Sequence, residues 1–290
     1  MHLPLSTAVS PTLTWTPSVG STNVVLRERA TRESQAEAPD FTVLATDNQT
    51  AGRGRLDRTW VAPAGASLAV SVLLRPVTPS GRPLEMAAFA WYPLLAGLAM
   101  TRACASVLDV PAAAKLKWPN DVLINHKKVS GILTELVMTP TGPALIIGAG
   151  VNLTLTVDQL PTPTSTSLAL AGVAAHFTAD APQKSDADIL LDAVLAAYLT
   201  ELRRLTSVFT AAEGDAESSG LRAQVASACD TIGRSVRVEL PSRESPIGTA
   251  TGLDAQGCLC VDLGTDAPPL VVAAGDVTHL RVLMEDVQPD

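Results

Sequence analysis

Three β-rich stretches follow one another between Val122 and Leu153, with only turn-forming residues between them. Val122-Leu123-Ile124 and Val129–Leu136 are parted by Asn125-His126-Lys127, and Ala144–Leu153 follows with two glycines inside it. Joins this short suit antiparallel neighbours, because a parallel crossover needs about a dozen residues or more. A meander is therefore expected, and the rest of the chain has to cover it. Residues 12–16, 41–46 and 67–74 read as further strands. A helix is expected at 22–32, where Ser21 or Thr22 can cap and Glu28 and Arg32 sit four apart. A second, buried one is expected at 84–108, interrupted or kinked at Pro93. A third covers 186–209, where Leu190, Val194, Leu195, Tyr198, Leu199, Leu202 and Leu205 recur at helical spacing. Hydrophobic residues make up 47% of the chain but aromatic ones only 3%, so Ala, Val and Leu must fill the core. The fold class is α+β.

The character of the chain changes at residue 211. Ala211–Gly220 is small, acidic and linker-like. Beyond Cys229 come short strand patterns at 236–240, 248–253, 258–263 and 270–273, with Asp254-Ala255-Gln256-Gly257 as a hairpin turn. Roughly sixty residues of this kind predict a small β-barrel with a core of its own. The expected division is 1–222 and 223–290, packing as distinct units.

Charge is distributed unevenly as well. Residues 1–178 carry 13 basic and 11 acidic side chains, whereas 179–290 carry 8 and 18. An anionic ligand therefore belongs to the first part, while the net charge of −8 argues against a general nucleic-acid binder. The uncharged stretch Met86–Met100 contains Pro93 and falls short of the roughly 20 residues that span a bilayer. No signal-peptide pattern is present, so neither a membrane nor export is expected. Cys104, Cys229, Cys258 and Cys260 lack metal-ligand spacing and read as buried thiols of a cytoplasmic protein.

Three segments carry chemistry. In Gln49-Thr50-Ala51-Gly52-Arg53-Gly54-Arg55-Leu56-Asp57-Arg58-Thr59-Trp60, three guanidiniums repel one another unless an anion lies among them. The glycines allow close approach of the main chain, and the arginine fork suits carboxylate and phosphate oxygens. A solvated turn or an RNA-gripping loop would share this composition. In Lys115-Leu116-Lys117-Trp118-Pro119-Asn120-Asp121, the proline keeps Trp118 out of the helical region and presents Asn120 and Asp121. Beside phosphates, such an aspartate can hold Mg²⁺. In Lys128-Val129-Ser130-Gly131-Ile132-Leu133-Thr134-Glu135, strict alternation puts Lys128 and Ser130 on one face and Gly131 on the other. Gly131 inside a strand marks close approach of a ligand. Gly148-Ala149-Gly150-Val151-Asn152 adds a bare backbone ending in an amide.

Taken in chain order, Ser21-Thr22-Asn23, Gln49-Thr50-x-Gly-Arg-Gly-Arg, Lys-Trp-Pro-Asn-Asp, Lys-x-x-Gly-Ile-Leu-x-Glu and Gly-x-Gly-x-Asn resemble the motif series of the biotin–protein ligases. The resemblance runs over nearly the whole chain. It implies that family's fold: a mixed β-sheet catalytic domain flanked by helices, class II synthetase-like, followed by a small SH3-like β-barrel. It also implies that Ser21, Thr22, Asn23, Gln49, Gly52, Arg53, Gly54, Arg55, Lys128 and Gly131 surround biotin. Arg55, Arg58, Trp60, Asn120, Lys128 and Asn152 would lie on the nucleotide side, Asp121 would be the metal-associated carboxylate, and Lys128, Arg55 and Arg53 the catalytic cations. Two positions depart from the family pattern. Asn48 stands where a basic residue is frequent, and Leu56-Asp57 fills a stretch that is often more basic or glycine-rich. Only twenty residues precede Ser21, too few for the helix-turn-helix of the repressor-type members, which argues against DNA binding.

The implied reaction consumes biotin and ATP with Mg²⁺, passes through biotinyl-5′-AMP and ends on a lysine of a biotin carboxyl carrier domain. A lipoate or octanoate transferase of the same fold is the enzymatic alternative, and an anion- or RNA-binding module the non-enzymatic one. The sequence does not separate a monomer from a homodimer.

Overall fold

The expected meander is one half of a larger sheet. The computed structural model describes residues 1–56, 58–174, 186–240, 245–273 and 276–279. Asp57 and the end of the second unit, 280–290, lie outside the described residues. In chain order the first part contains α1 (Pro4–Val9), β1 (Leu13–Trp15), α2 (Thr22–Arg32), β2 (Thr42–Thr46), β3 (Gly52–Arg53), β4 (Thr59–Trp60) and β5 (Ser67–Leu74). There follow α3 (Tyr92–Ala105), β6 (Ala114–Lys117), β7 (Asp121–Ile124), β8 (Lys127–Thr139), β9 (Gly142–Asn152) and α4 (Leu168–Ala171). After α5 (Asp186–Ala211) and α6 (Leu221–Ala228) come β10 (Ser235–Glu239), β11 (Ile247–Leu253), β12 (Leu259–Asp262), β13 (Leu270–Val272) and β14 (Asp276–His279).

Seven strands form a mixed sheet in the order β1-β2-β5-β9-β8-β7-β6. Only β1 and β2 run parallel; every other pair is antiparallel. One face carries Val70, Val72, Ile132, Ile147, Ala149 and Val151 into the main core, which α3 and α5 cover. The opposite face is covered at one end by α2, through a small cluster of Leu26, Ala30, Leu44, Leu73 and Ile146. That cluster ends partway along the sheet, and the site begins where it stops.

Several elements differ from the sequence reading. The helix expected at 84–108 is interrupted beside Pro93 rather than kinked there. Residues 86–91 are 3₁₀ turns and α3 starts at Tyr92, with Pro93 in its first turn, where a missing N–H leaves no bond unmade. β6 did not stand out in the sequence because it is four residues long. Its Ala114 and Leu116 are buried and its two lysines half-exposed, which suits a strand at a sheet edge.

The linker-like stretch is made of turns that lead into α6, and Ala216 within it is 2% exposed. The second unit is a five-stranded antiparallel sheet, β13-β12-β11-β10-β14. Its Val236, Val238, Ala250, Leu253, Leu259 and Val261 belong to the same apolar cluster as α3 and the first sheet. Two indoles join the parts. Trp91 Nε1 donates to Ala255 O at 2.9 Å and Trp118 Nε1 to Gly257 O at 3.1 Å, both in the expected hairpin turn. The core therefore continues across the stretch, and the two sheets do not pack as separate bodies. No described helix is long and apolar enough to cross a membrane.

A shared core should unfold as one unit. Calorimetry of the whole chain is expected to show a single cooperative transition, and two resolved transitions would contradict this packing.

Candidate active site

Strand register places the glycines of β8 and β9 against one another. Gly131 pairs with Gly150 and Leu133 with Gly148, while on the other side of β9 Gly150 faces Ala69 and Gly148 faces Ser71. Paired residues of neighbouring strands point to the same side. The middle of the sheet therefore shows bare main chain to the α2 face at Gly131, Gly148 and Gly150, flanked by the small Ala69 and Ser71 on β5 and by Leu133 on β8. Neighbours lie close upon it. A Cβ on Gly150 would come within 2.6 Å of the Trp60 ring, and one on Gly148 would run into the Asn23 amide.

The wall at the α2 end is a closed hydrogen-bond network. Gln49 Oε1 accepts from the Thr22 N–H at 2.9 Å and from its hydroxyl at 3.1 Å. Ser71 Oγ, fully buried in β5, lies 2.7 Å from Thr22 Oγ1 and 2.6 Å from Asn23 Oδ1. Asn23 Nδ2 donates to Glu135 Oε1 at 2.8 Å, and Arg27 holds the other Glu135 oxygen at 3.1 Å. Ser21, at the N-terminus of α2, is buried and makes no capping bond through its side chain.

Lys128 stands at the opposite end because of a β-bulge. Between β7 and β8 the register shifts: Leu123 pairs with Lys128 but Val122 with Ser130. The extra residue, Val129, breaks the strict alternation expected above, as bulges do. Lys128 thus shares the face of Gly131 rather than opposing it. A Cβ on Gly131 would lie 3.2 Å from Lys128 Cε and Nζ. The ammonium lies 2.7 Å from Asp121 Oδ1 but off the direction of a well-formed hydrogen bond, so the contact is ionic in kind. The main chain of Lys128 is bracketed by Thr164 O and Thr166 N at 2.8 Å each. Asn152, expected toward the nucleotide, is buried and donates to Thr166 O at 2.9 Å, which anchors that bracket.

The arginine-rich loop is a short hairpin. Gly52 pairs with Trp60 and Arg53 with Thr59, and Gly54 N–H donates to Arg58 O at 2.7 Å. Gly52 has no room for a side chain, since a Cβ there would meet Trp60 O at 2.5 Å and Gln49 Nε2 at 2.8 Å. Arg55 Nη1 donates to Asn120 Oδ1 at 2.9 Å, and Asn120 Nδ2 to Ile132 O at 2.6 Å. The loop is thereby tied to the Lys-Trp-Pro-Asn-Asp turn. Arg58, Lys117, Trp118, Pro119, Asn120, Asp121, Glu239, Val277 and Thr278 line a cleft of about 190 Å³ beside that tie. Trp60 lies over Gly150 instead. Its indole N–H is buried without an acceptor among the described residues, a donor left for a ligand.

A shallow face of bare main chain thus runs from a polar wall at Thr22–Asn23 to a basic end at Lys128, Arg55 and Arg58. Residues 15–152 match the model of the biotin/lipoate A/B protein ligase family, and 231–280 match the biotin protein ligase C-terminal domain. A biotin–[acetyl-CoA-carboxylase] ligase of Mycobacterium tuberculosis is 37% identical over 263 residues, 90% of this chain and 86% of that one. The chain belongs to the biotin protein ligase family. Among solved structures, the Aquifex aeolicus biotin protein ligase in complex with biotin and ATP superposes with a TM-score of 0.66 at 26% identity, covering 93% of this chain and 98% of that one. The Leishmania major biotin protein ligase in complex with biotinyl-5-AMP gives 0.52 at 25%, covering 93% and 99%.

For this biotin protein ligase, the structure adds residues that motif reading passed over. Ser71 interrupts the apolar run 68–74 of β5, and Glu135 stands at the end of the Lys-x-x-Gly-Ile-Leu-x-Glu motif. Together they fix both ends of the Asn23 amide. Gly150→Ala tests the bare floor. Forcing the Trp60 ring aside should weaken biotin binding at least about fivefold, from an overpacking cost of about 1–3 kcal/mol. Titration calorimetry with biotin reads this directly, and wild-type affinity in the variant would mean that the floor is not the binding surface.

Proposed function

We infer that the chain is an ATP-dependent biotin ligase, and the single observation that carries the residue assignment is the convergence of Lys128, Arg55 and Arg58 at one edge of a glycine floor. A flat ligand lying against Gly131, flanked by Asn23 over Gly148 and Trp60 over Gly150, would point its carboxylate toward Lys128. In the first step the biotin carboxylate oxygen bonds to the α-phosphorus of ATP and the bond to the β-phosphate oxygen breaks, releasing pyrophosphate. In the second, an acceptor lysine amine bonds to the acyl carbon, the bond to the phosphate oxygen breaks, and AMP and a proton leave. The match of 231–280 to the biotin ligase C-terminal domain favours biotin over lipoate.

The protein contributes positioning and charge. Lys128 and Asp121 are 38% and 19% exposed, and ion pairs at that depth are worth about 0.2–1 kcal/mol. A carboxylate and an α-phosphate arriving together offer Lys128 more negative charge than Asp121 alone, so the ammonium can change partners. Arg53, Arg55 and Arg58 then face the remaining phosphate oxygens with forked donors. Stabilising charge that develops in the transfer is the main catalytic lever in such a site.

Mg²⁺ belongs to the same reading. No group of three His, Cys, Asp or Glu side chains that could cage a metal occurs among the described residues. Two carboxylates, Asp121 and Glu239, line the cleft, and one of them suffices for an ion that takes most of its ligands from phosphates and water. Asp121 would be that carboxylate, and the ion would neutralise polyphosphate charge. We further propose that 1–222 holds biotin and the nucleotide while 223–290 closes the nucleotide side, that the acceptor is a carboxylase carrier domain, and that the compartment is the cytoplasm.

Biotin-dependent exchange of labelled pyrophosphate into ATP tests the reading, since neither an RNA-binding module nor a lipoate enzyme catalyses it. Lys128→Ala should slow that exchange by roughly 10² or more, the scale of losing one transition-state charge partner. A near-normal rate at saturating biotin and ATP would remove Lys128 from the reaction. Asp121→Asn should raise the Mg²⁺ concentration needed for half-maximal exchange with little change in melting temperature. A much lower melting temperature with an unchanged Mg²⁺ titration would make Asp121 structural.

A further inference from the structure

Residues 229–231 run along the outer edge of β6. Leu116 forms an isolated parallel bridge with Cys229, and Asp230 N–H donates to Leu116 O at 2.7 Å. At the next rung a side chain replaces the main chain. The Trp118 N–H donates to the hydroxyl of Thr231 at 3.0 Å, while the Asp230 carbonyl accepts from Arg234 Nε at 2.7 Å. Pro119 has no N–H, so Trp118 supplies the last main-chain donor before Asn120 and the cleft.

Thr231 is fully buried, and its hydroxyl lies 3.0 Å from His279 Nε2. A hydroxyl that accepts from an N–H keeps its own proton to donate. The direction of its bond with His279 Nε2 follows the ring tautomer, and Nδ1 faces Asp230 Oδ2 at 3.7 Å. Burial, and after it the Lys117 charge, pushes His279 down to about 4, so the ring is neutral at pH 7 and its contact with Asp230 is not an ion pair. Asp230 is itself held by Arg234 Nη2 at 2.6 Å and His126 Nδ1 at 3.2 Å. His279 follows Val277 and Thr278, which line the cleft together with Arg58, Asn120 and Asp121.

We propose that Thr231, oriented by His279, is a positioning residue for the nucleotide half of the reaction. It fixes the main chain at Trp118 from the segment between α6 and β10 and thereby sets where Asn120 and Asp121 stand. The proposal rests on the ligase reading above. Its geometric content is that a hydroxyl 3.0 Å from the Trp118 nitrogen takes the place of a ladder carbonyl. Loss of that hydroxyl frees the turn without touching the wall at Thr22–Asn23.

The test uses the full chain with Thr231→Val, Thr231→Ser and His279→Leu in biotin-dependent ATP–pyrophosphate exchange. Thr231→Val should raise the KM for ATP roughly tenfold, the upper range for one buried hydrogen bond, while the biotin Kd measured without nucleotide stays within about twofold. Thr231→Ser should restore the KM, because it returns the hydroxyl and only a methyl is missing. If Thr231→Val does not fold, His279→Leu decides: with Thr231 intact it should still raise the ATP KM severalfold and leave biotin binding alone. A wild-type KM in a folded Thr231→Val protein, failure of Thr231→Ser to rescue, or a parallel loss of biotin affinity would overturn the proposal. Absence of exchange in the wild-type chain would instead overturn the ligase reading itself.

Discussion

Gly131 lies opposite Gly150, and Gly148 sits two residues further along the same strand, so the centre of the seven-stranded sheet offers the α2 side few side chains, Ala69 and Ser71 on β5 and Leu133 on β8. That vacancy in side-chain volume governs the arrangement around it. Asn23 and Trp60 reach down to main-chain depth only because no Cβ meets them. The small apolar cluster under α2 stops where the glycines begin, so the sheet changes there from packed core to ligand floor within the same three strands. A flat, fused-ring ligand gains contact over its whole face on such a surface, whereas any added methyl group costs room on both sides.

Around this floor polar groups are tied down at one end and exchangeable at the other. Thr22, Gln49, Ser71, Asn23, Glu135 and Arg27 form a chain in which the buried members satisfy one another. Buried networks of that kind hold shape because breaking one link strands its neighbour. Lys128 and Asp121 form a half-exposed pair whose small stabilisation lets either partner turn to an incoming charge. A site with a rigid recognition end and a labile ionic end suits a substrate that is held by its ring and reacts at its carboxylate. The tie between Arg55 and Asn120 links the arginine hairpin to the Lys-Trp-Pro-Asn-Asp turn.

Much of this was legible in the sequence because it depends on local pattern. The strands expected at 67–74 and 144–153 and the turn at Asp254–Gly257 follow from alternation and turn chemistry, and the helix forms at 22–32 as expected although Ser21 makes no side-chain cap. The motif residues identified the family, which the comparisons bear out. What was not legible depends on pairing between distant segments. The bulge at Val129 arises from how β7 meets β8, and it moves Lys128 to the opposite face from the one alternation assigns. Asn152 turns to Thr166, a partner that no spacing rule marks. The stretch at 211–220 has the composition of a linker, yet Trp91 and Trp118 stitch the second sheet into the first core from far away in sequence. A four-residue edge strand such as β6 carries too few positions for its period to show.

The central claim is that the floor and its basic edge hold an acyl adenylate and shield it until an acceptor arrives. Native mass spectrometry of the chain, after incubation with biotin, ATP and Mg²⁺ without acceptor and rapid desalting, tests this most directly. The account predicts one retained biotinyl-5′-AMP per chain. Release of pyrophosphate with no adenylate left on the protein would contradict it.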